Sequence, residues 1–215
     1  LRGAAEEART LLWWGAVAWG RLRYGLSVIH GDTGSLDLGT GARAIYGRPG
    51  SGTLPTFGLV FIVSGLAFKL AVVPYHMWVP DVYDGAPTSM AVLVGTAPKI
   101  AAFAMTLRIL SGALQGLAVD WQAMLIVLCV LSMVLGNLVA IAQTNLKRML
   151  AYSTIANMGY MLLGFLTANR YGYAAAMFYT IAYALTSLAA FGVILILSRE
   201  GFESDQLDDF KGLNR

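Results

Sequence analysis

Residues 121–143 of this chain, WQAMLIVLCVLSMVLGNLVAIAQ, contain no charged side chain. A second stretch, residues 172–198, is also uncharged and reads GYAAAMFYTIAYALTSLAAFGVILILS. A helix that crosses a lipid bilayer needs about 20 mostly apolar residues, and both stretches exceed that length. Because backbone polar groups in lipid must find partners within the protein, these stretches predict membrane-spanning α-helices and exclude open sheets.

Apolar segments of this kind fill most of the chain. Of its 215 residues, 13% are charged, about half of what is typical of a soluble domain, and the mean hydropathy is +0.64. We therefore predict an all-α membrane protein, a bundle of about six transmembrane helices with one broken helix. The predicted spans are residues 10–29, 55–78, 86–110, 121–143, 148–168 and 172–198, followed by a polar loop over residues 199–215.

The short loops predict the orientation of the bundle, since Lys and Arg concentrate in cytoplasmic loops. The tightest connection, QTNLKRM, holds Lys147 and Arg148 and is placed on the cytoplasmic side. The N-terminus, a turn at residues 79–85 and the C-terminal loop then share that side. The glycine-rich segment of residues 30–52 lies opposite, and its composition predicts an irregular loop with neither helix nor strand.

The chain lacks the motifs of soluble enzymes and cofactor-binding domains, since GxGxxG, Walker A, HExxH and CxxC are all absent. The single cysteine, Cys129, lies in an apolar run, so it forms no internal disulfide and is expected to fill space in the core. Two histidines without cysteine partners give no metal-binding pattern. The net charge of +3 is spread along the chain without a basic patch, so nucleic acid is not an expected partner.

Two lysines interrupt the apolar pattern. Lys69 lies deep within the second predicted span and Lys99 deep within the third. Each is too far from a span end to reach water easily, and a charge at the bilayer centre costs at least ~2.5 kcal/mol. The lysines either form structural ion pairs with other helices or are protonatable groups that face a wet cavity. The second interpretation is our working hypothesis, because burial penalises the charged form and so permits proton exchange.

A proline predicts that the second span is interrupted beside the first lysine. Pro74 follows Lys69 by five residues, and proline removes a backbone donor and clashes with the preceding turn. We therefore predict irregular backbone over residues 70–76, and broken helices of this kind line ion pathways in transporters. His76 lies in the same segment and is either a packed aromatic ring or a proton-relay group, since histidine titrates near neutral pH.

Further polar residues occur in the later spans. Thr154, Asn157 and Tyr160 share one helical face because they are three residues apart. We predict that they form hydrogen bonds between helices, with a water-lined proton path as the alternative.

Two long segments resemble a known family. They are GLAFKLAVVPYHMWVPDVYDGAPTSMAVLVGTAPKIAAF and GNLVAIAQTNLKRMLAYSTIANMGYMLLG, supported by YGLSVIHGDTGSLDL and DQLDDFKGLN. These segments are similar to the subunit N family, antiporter-like membrane subunits of bacterial proton-pumping NADH:quinone oxidoreductase (complex I). The resemblance covers most of the chain and implies that it is a central portion of a subunit with roughly fourteen membrane helices.

The resemblance also implies roles for particular residues. Lys69 would be the central lysine of the broken helix, Lys99 the connecting lysine on the next helix, and His76 part of the hydrophilic axis that joins two half-channels. The implied function is proton translocation across the bacterial inner membrane, coupled to electron transfer from NADH to quinone in other subunits. The chain itself would hold no cofactor; NADH, FMN, iron–sulfur clusters and quinone would be bound by other subunits of the complex. The expected partners are other complex I membrane subunits, the lipid bilayer and the proton as transported ion.

The first predicted span departs from the family pattern. The family motif E-A-x-x-K-Y corresponds here to EEARTL, so Glu6 matches the glutamate but Thr10 stands where a lysine is expected. Arg21 and Arg23 replace positions that are apolar in the family. A glutamate on an earlier helix and a lysine on a later helix, both expected from the family, fall outside this sequence. We therefore expect an internal piece of a longer polytopic protein.

Two rival functions stay open at this point. A subunit of a multi-protein Na⁺/H⁺ antiporter would share the lysine-bearing fold, and its transport would depend on sodium. A structural membrane subunit that does not pump would carry lysines that only form ion pairs. Such a subunit would tolerate arginine at these positions, whereas a proton carrier would not, because arginine stays protonated.

Overall fold

The computed structural model describes residues 2–46, 52–199 and 203–212, and it confirms the all-α fold. Within these ranges the β-structure is limited to isolated bridges such as the one between Asn145 and Gln206. Residues 200–202 and 213–215 of the predicted polar loop lie outside the described ranges. The helices are α1 (Arg2–Thr33), α2 (Leu38–Tyr46), α3 (Thr53–Leu70), α4 (Trp78–Gly85), α5 (Thr88–Leu107), α6 (Ala118–Ile141), α7 (Leu146–Leu166) and α8 (Arg170–Leu197).

Five helices in the described ranges are long and apolar enough to cross a membrane. They are α3, α5 with its π-helical extension Arg108–Ala113, α6 with the preceding 3₁₀ turn Gln115–Leu117, α7 and α8. The predicted first span, residues 10–29, lies inside α1, which is not one of the five. Arg21 and Arg23 interrupt the apolar character of α1, so its place in the membrane stays a prediction.

The second predicted span is interrupted where the sequence indicated. Helix α3 ends at Leu70, and turns continue to Trp78, where α4 begins. The Val73–Pro74 peptide bond in this segment is cis. The indole nitrogen of Trp78 donates a hydrogen bond to the Phe68 carbonyl at 3.2 Å. The Phe68 carbonyl also accepts from the Ala71 backbone N–H at 3.0 Å, so the indole adds a second hydrogen bond at the end of α3. The predicted broken helix is confirmed.

The connection between the second and third predicted spans is not a simple turn. Residues 79–85, predicted as that turn, belong to the helix α4. Two prolines of this connection are compatible with helix starts, because proline is tolerated where no backbone donor is needed. Pro80 lies in the first turn of α4, and Pro87 immediately precedes α5.

The glycine-rich segment of residues 30–52 is also partly helical, contrary to the prediction. Helix α1 continues to Thr33, and α2 follows after a short turn. The Asp37 carboxylate accepts a hydrogen bond from the Thr40 backbone N–H at 2.7 Å and so caps the start of α2. Hydrogen bonds from Thr40 hold the pKa of Asp37 below its ordinary value. The cap and the burial of Ile45 outweigh the low helix propensity of glycine.

Glycines allow the long helices to approach one another closely. A Cβ atom added at Gly136 would lie 2.6 Å from the backbone nitrogen of Ala156, so α6 and α7 meet backbone to backbone there. A Cβ atom at Gly25 would lie 2.6 Å from the carbonyl oxygen of Gly58, which joins α1 to α3 in the same way. Such contacts stabilise helix association in lipid, where packing rather than the hydrophobic effect holds helices together.

We expect Gly136→Ala to destabilise the protein by ~1–3 kcal/mol, because an extra methyl group in a packed contact forces the backbones apart. The matched control is Gly192→Ala in α8, where nothing lies within 4 Å of the added Cβ. That change should be neutral or stabilise the helix by up to ~1 kcal/mol. The measurement is the thermal unfolding midpoint of the full-length protein in detergent. Equal midpoints for the two variants would contradict the close contact.

One end of the bundle gathers three segments that are distant in the sequence. The α4–α5 turn, the α6–α7 connection and residues 203–212 meet there. The Leu146 backbone N–H donates to the Asp205 carbonyl at 2.6 Å, and the Leu207 N–H donates to the Thr144 carbonyl at 3.0 Å. The distribution of basic residues in the sequence predicts that the same three segments share the cytoplasmic side.

Candidate functional site

Lys99 lies in α5 and is enclosed by the bundle. The residue is 1% exposed, and its Nζ has no hydrogen-bond partner among the described residues. Nζ lies 4.8 Å from the centre of the Trp78 ring on α4, a contact worth ~2 kcal/mol when desolvated. This is small beside the cost of burying a lone charge. A charged Lys99 therefore needs a further polar partner.

Lys69 lies in the last turn of α3 and is half-buried. Its Nζ lies 4.1 Å from the centre of the Trp19 ring on α1, so the side chain extends toward that helix. The ion pairs found in the described part of the chain involve neither Lys69 nor Lys99. Neither lysine therefore has an ion-pair partner within the described ranges.

Two packed aromatic residues, Phe68 and Trp78, connect the neighbourhood of Lys69 to that of Lys99. Phe68 precedes Lys69 in the chain, and its ring centre is 5.5 Å from that of Trp78, which in turn contacts Lys99. Helices α3 and α5 are in contact. The structure therefore places the two lysines on adjacent helices, on either side of the break, while their roles stay predictions.

His76 lies in the turn between α3 and α4, and its Nδ1 is buried. Nδ1 has no hydrogen-bond partner among the described residues. The hydrogen bonds of the described residues do not join His76 to either lysine, so the predicted link through this side chain stays a prediction.

A cavity of about 230 Å³ opens between α1 and the broken helix. Arg21 and Tyr75 are among its lining residues, and the Arg21 guanidinium lies 5.6 Å from the centre of the Tyr75 ring. The Arg23 guanidinium lies 5.6 Å from the centre of the Trp19 ring. Both arginines that depart from the family pattern thus contact aromatic rings close to Lys69 and the break. Thr10, at the expected lysine position, donates to a carbonyl of its own helix at 3.0 Å.

The polar residues of the later spans form hydrogen bonds between helices, as predicted. Each bond joins a tyrosine hydroxyl to a polar side chain on the neighbouring helix. The pairs are Tyr160 with Asn137 (3.0 Å), Tyr179 with Asn157 (2.5 Å) and Tyr183 with Thr154 (2.7 Å). The two tyrosines of α8 were not predicted as partners from the sequence, although their four-residue spacing places them on one helical face.

A buried ion pair that was not predicted from the sequence lies at the end of the bundle where the three distant segments meet. Lys147, in the first turn of α7, is 2% exposed. Its Nζ donates to the carbonyls of Asp84 (3.3 Å) and Ala86 (3.1 Å) and pairs with the Glu203 carboxylate. The other carboxylate oxygen of Glu203 accepts a hydrogen bond from the Thr88 backbone N–H at 3.2 Å. We call these five residues the Lys147 clamp.

The clamp holds the α4–α5 turn against the start of α7. Partial burial by itself raises the pKa of Glu203, but the hydrogen bonds from Lys147 and Thr88 outweigh it and hold the pKa below its ordinary value. Glu203 is therefore charged at neutral pH. Since 56 residues separate Glu203 from Lys147, no local sequence pattern reveals the pair.

The polar interior of the described ranges is built from lysine, histidine, amide and hydroxyl groups. No group of three or more His, Cys, Asp or Glu side chains that could hold a metal ion occurs in these ranges. The chemistry that this arrangement supports is proton exchange, through buried groups that gain or lose a proton without covalent change.

Comparison with known proteins identifies the family. The family model described as "NADH:quinone oxidoreductase/Mrp antiporter, TM" matches residues 4–215. The chain belongs to this family. Among the relatives, the NADH-quinone oxidoreductase subunit N of Thiobacillus denitrificans is 57% identical over 212 residues, which cover 99% of this chain and 44% of that protein. The chain thus spans less than half the length of the relatives it matches, and the resemblance noted in its sequence is confirmed.

Two solved structures contain chains of similar fold. Respiratory complex I from Thermus thermophilus with bound aureothin contains a chain that is 40% identical, with a TM-score of 0.71 over 88% of this chain and 40% of that one. The Mrp complex from Dietzia sp. DQ12-45-1b has a TM-score of 0.78 at 22% identity, over 87% of this chain and 34% of that one. The similarity to the Mrp complex concerns the fold alone. The similarity to complex I, together with the similarity to the Thiobacillus relative, favours the NADH-quinone oxidoreductase branch.

Proposed function

We propose that this chain is part of a membrane subunit of bacterial NADH-quinone oxidoreductase that translocates protons across the inner membrane. Electron transfer from NADH to quinone would take place in other subunits, which would hold NADH, FMN, iron–sulfur clusters and quinone. The observation that carries this proposal is Lys99, a buried lysine without an ion-pair partner in the described ranges, beside a broken helix. A relative that is 57% identical bears the name NADH-quinone oxidoreductase subunit N.

The proposed mechanism uses the electrostatic coupling between Lys69 and Lys99. Two unit charges ~8 Å apart interact by roughly 2 kcal/mol at an effective dielectric constant of 20. Since ~1.4 kcal/mol changes a proton-binding equilibrium tenfold, protonation of one lysine at such a separation would favour proton release from the other. A change of charge on a neighbouring helix, driven by quinone reduction elsewhere, would then reverse the preference.

The break between α3 and α4 supports such a mechanism. Helix α3 and its backbone hydrogen bonds end next to Lys69. The break also brings Trp78, the first residue of α4, against Lys99. Turn backbone at this depth leaves polar groups that water or side chains can satisfy. His76 lies in this turn, within the segment through which a proton would pass between water and the two lysines.

Proton transport and sodium transport predict different results in the same assay. We expect membrane vesicles that contain the full-length protein in its complex to form a ΔpH on addition of NADH in sodium-free medium. Added Na⁺ should leave the initial rate unchanged within error, because lysine exchanges protons and offers no oxygen ligand for a cation. The measurement is quenching of a ΔpH-sensitive dye, with an uncoupler as the control. A rate that falls to background without Na⁺ would favour the antiporter function.

A further inference from the structure

Tyr83 on α4 is a fully buried tyrosine with an unsatisfied hydroxyl. The residue is 0% exposed, and its hydroxyl has no hydrogen-bond partner among the described residues. Its ring packs edge-to-face on Phe191 of α8, with ring centres 5.7 Å apart. A phenylalanine would make the same ring contacts without a buried polar atom. A buried polar group without a partner is costly, so the hydroxyl calls for a functional explanation.

The Tyr83 hydroxyl faces the turn of α5 that precedes Lys99. A Cβ atom added at Gly95 would lie 3.2 Å from this hydroxyl, so the absence of a side chain at Gly95 provides its space. Gly95 and Lys99 are four residues apart and share a helical face. Helical side chains lean toward the N-terminus of their helix, which directs the Lys99 side chain back over Gly95.

Lys99 and Tyr83 therefore present two unpartnered polar groups to the same α4–α5 contact. Lys99 Nζ lies over Trp78, also on α4, and both Nζ and the Tyr83 hydroxyl have no partner among the described residues. Buried polar groups that find no protein partner are commonly bridged by an internal water molecule. A water held between these two groups would satisfy both.

On its other side Tyr83 is close to hydroxyl groups of α7 and α8. Thr154 and Tyr183 are its polar neighbours there. The Tyr183 hydroxyl donates to Thr154 Oγ1 at 2.7 Å, and Thr154 Oγ1 donates to the Leu150 carbonyl at 2.9 Å. A threonine hydroxyl has two acceptor lone pairs, so Thr154 keeps one that can accept from Tyr83.

The row of hydroxyls ends at the surface of the α7–α8 pair. Tyr183, Ser187, Ser153 and Asn157 line an open cleft of about 190 Å³ there. A row of polar groups thus runs from the buried lysine to a polar opening, in the order Lys99, Tyr83, Thr154, Tyr183 and the cleft. All the side chains between the two ends carry a hydroxyl group.

We propose that Tyr83 is a proton-relay residue that connects Lys99, through a bound water molecule, to the polar cleft between α7 and α8. Lys99 gives one proton to the bridging water, which passes one proton to the Tyr83 oxygen. Tyr83 releases its own hydroxyl proton to Thr154. For the next transfer the Thr154 hydroxyl turns from the Leu150 carbonyl to the Tyr183 oxygen, and the Tyr183 hydroxyl turns from Thr154 to the cleft, so that both reverse the hydrogen bonds they make at rest. Thr154 then passes its proton to Tyr183, and Tyr183 passes its own to water in the cleft. Each hydroxyl accepts one proton and releases one, so the net change is one proton moved. This inference rests on the proposed proton translocation through Lys69 and Lys99.

Tyr83→Phe tests the relay in the full-length protein assembled in its complex. The change keeps the ring and removes only the hydroxyl. We expect the NADH-driven rate of ΔpH formation to fall about tenfold, less than the ~100-fold of an essential proton-transfer group, because neighbouring hydroxyls remain. Assembly on native gels should be unchanged, since the variant keeps the ring and its packing on Phe191. A purely structural tyrosine predicts the opposite, undiminished pumping.

The matched control is Tyr173→Phe, on the same helix as Tyr183. It removes a hydroxyl that donates to Gln115 Oε1 at 2.9 Å and should leave pumping unchanged, because neither Tyr173 nor Gln115 belongs to the relay. Normal pumping by Tyr83→Phe, together with lost pumping by Lys69→Ala, would overturn the relay and leave the proposed function standing. Normal pumping by both variants would overturn the proposed function itself.

Thr154→Val provides a second variant, because it replaces the next hydroxyl of the row with a methyl group of similar size. We expect a similar loss of pumping. If Tyr83→Phe fails to assemble, an assembled Thr154→Val variant that pumps normally overturns the relay. Failure of both variants to assemble would assign these hydroxyls a structural role and would also overturn it.

Discussion

Replacement of Lys69 by alanine is expected to reduce NADH-driven proton pumping, and with it the coupled quinone reductase activity, by about 100-fold. A neutral methyl group has no site for a proton, and the loss of one obligatory transfer step stops the coupled steps. Assembly should be retained, because no carboxylate in the described part of the chain pairs with Lys69 and the Nζ of this half-buried side chain lies over the Trp19 ring. The measurements are ΔpH formation in membrane vesicles supplied with NADH and assembly on native gels.

The Lys69→Arg variant distinguishes between two roles of Lys69, a proton carrier and one half of an ion pair. Arginine preserves the positive charge and the contact with an aromatic ring but does not release its proton at accessible pH. We expect the Arg variant to assemble and to pump as poorly as the Ala variant. Normal pumping by the Arg variant would end the proton-carrier hypothesis for this residue. Failed assembly of the Ala variant alone would indicate a structural pair with a residue outside the described ranges.

Replacement of Lys147 by methionine is expected to destabilise the protein by ~2–3 kcal/mol. This is below the ~3–5 kcal/mol of a fully buried pair, because the Glu203 side chain is 42% exposed and stays partly hydrated. The change removes the donor to two carbonyls of the α4–α5 turn as well as the partner of Glu203. The thermal midpoint of the full-length protein in detergent measures the loss.

Lys211→Met is the matched control for the Lys147 clamp. Lys211 pairs with Asp208 at 2.7 Å, but its side chain is 76% exposed, so its loss should change stability by less than ~0.5 kcal/mol. Adding Glu203→Gln to Lys147→Met should cost little more than Lys147→Met alone, because the two residues act in one contact. Equal midpoints for Lys147→Met and Lys211→Met would refute the clamp.

The pH dependence of the clamp follows from Glu203. Its pKa is lower in the folded protein than its ordinary value, so the stabilisation is fully present above the unfolded pKa of about 4.3 and is lost as pH falls through the folded pKa. The midpoint difference between the wild type and Lys147→Met should therefore be constant from neutral pH to about pH 5 and shrink below about pH 4.

Several features follow from local composition. Apolar runs of about 20 residues leave helices as the available structure in lipid, and α5 to α8 lie where the sequence predicted spans. Pro74 predicted the break after α3 because a proline lacks the donor that a continuing helix needs. Lys69 and Lys99 were identifiable because a charge in an apolar run is costly enough to need a reason.

The structure differs from the prediction where a segment's conformation depends on distant partners. Residues 79–85 contain turn-forming residues, yet they form α4, and Lys147 holds the end of this helix from 61 to 63 residues away. The α2 segment is rich in glycine, yet the Asp37 cap and the burial of Ile45 make it helical. Composition indicates the average conformational preference of a segment, and here a few specific contacts outweigh that preference.

The sequence by itself determined the membrane-spanning character of this protein, the position of the break and the choice of Lys69 and Lys99 as candidate site residues. Each of these depends on the solubility or stereochemistry of residues that are close together in the chain. The tertiary structure alone decided which side chains meet. It set Trp78 against Lys99, brought the Tyr83 hydroxyl to Gly95 and joined Lys147 to Glu203. Such contacts depend on how helices pack and on where glycine leaves space, and helical periodicity predicts the faces of a helix but not its neighbours.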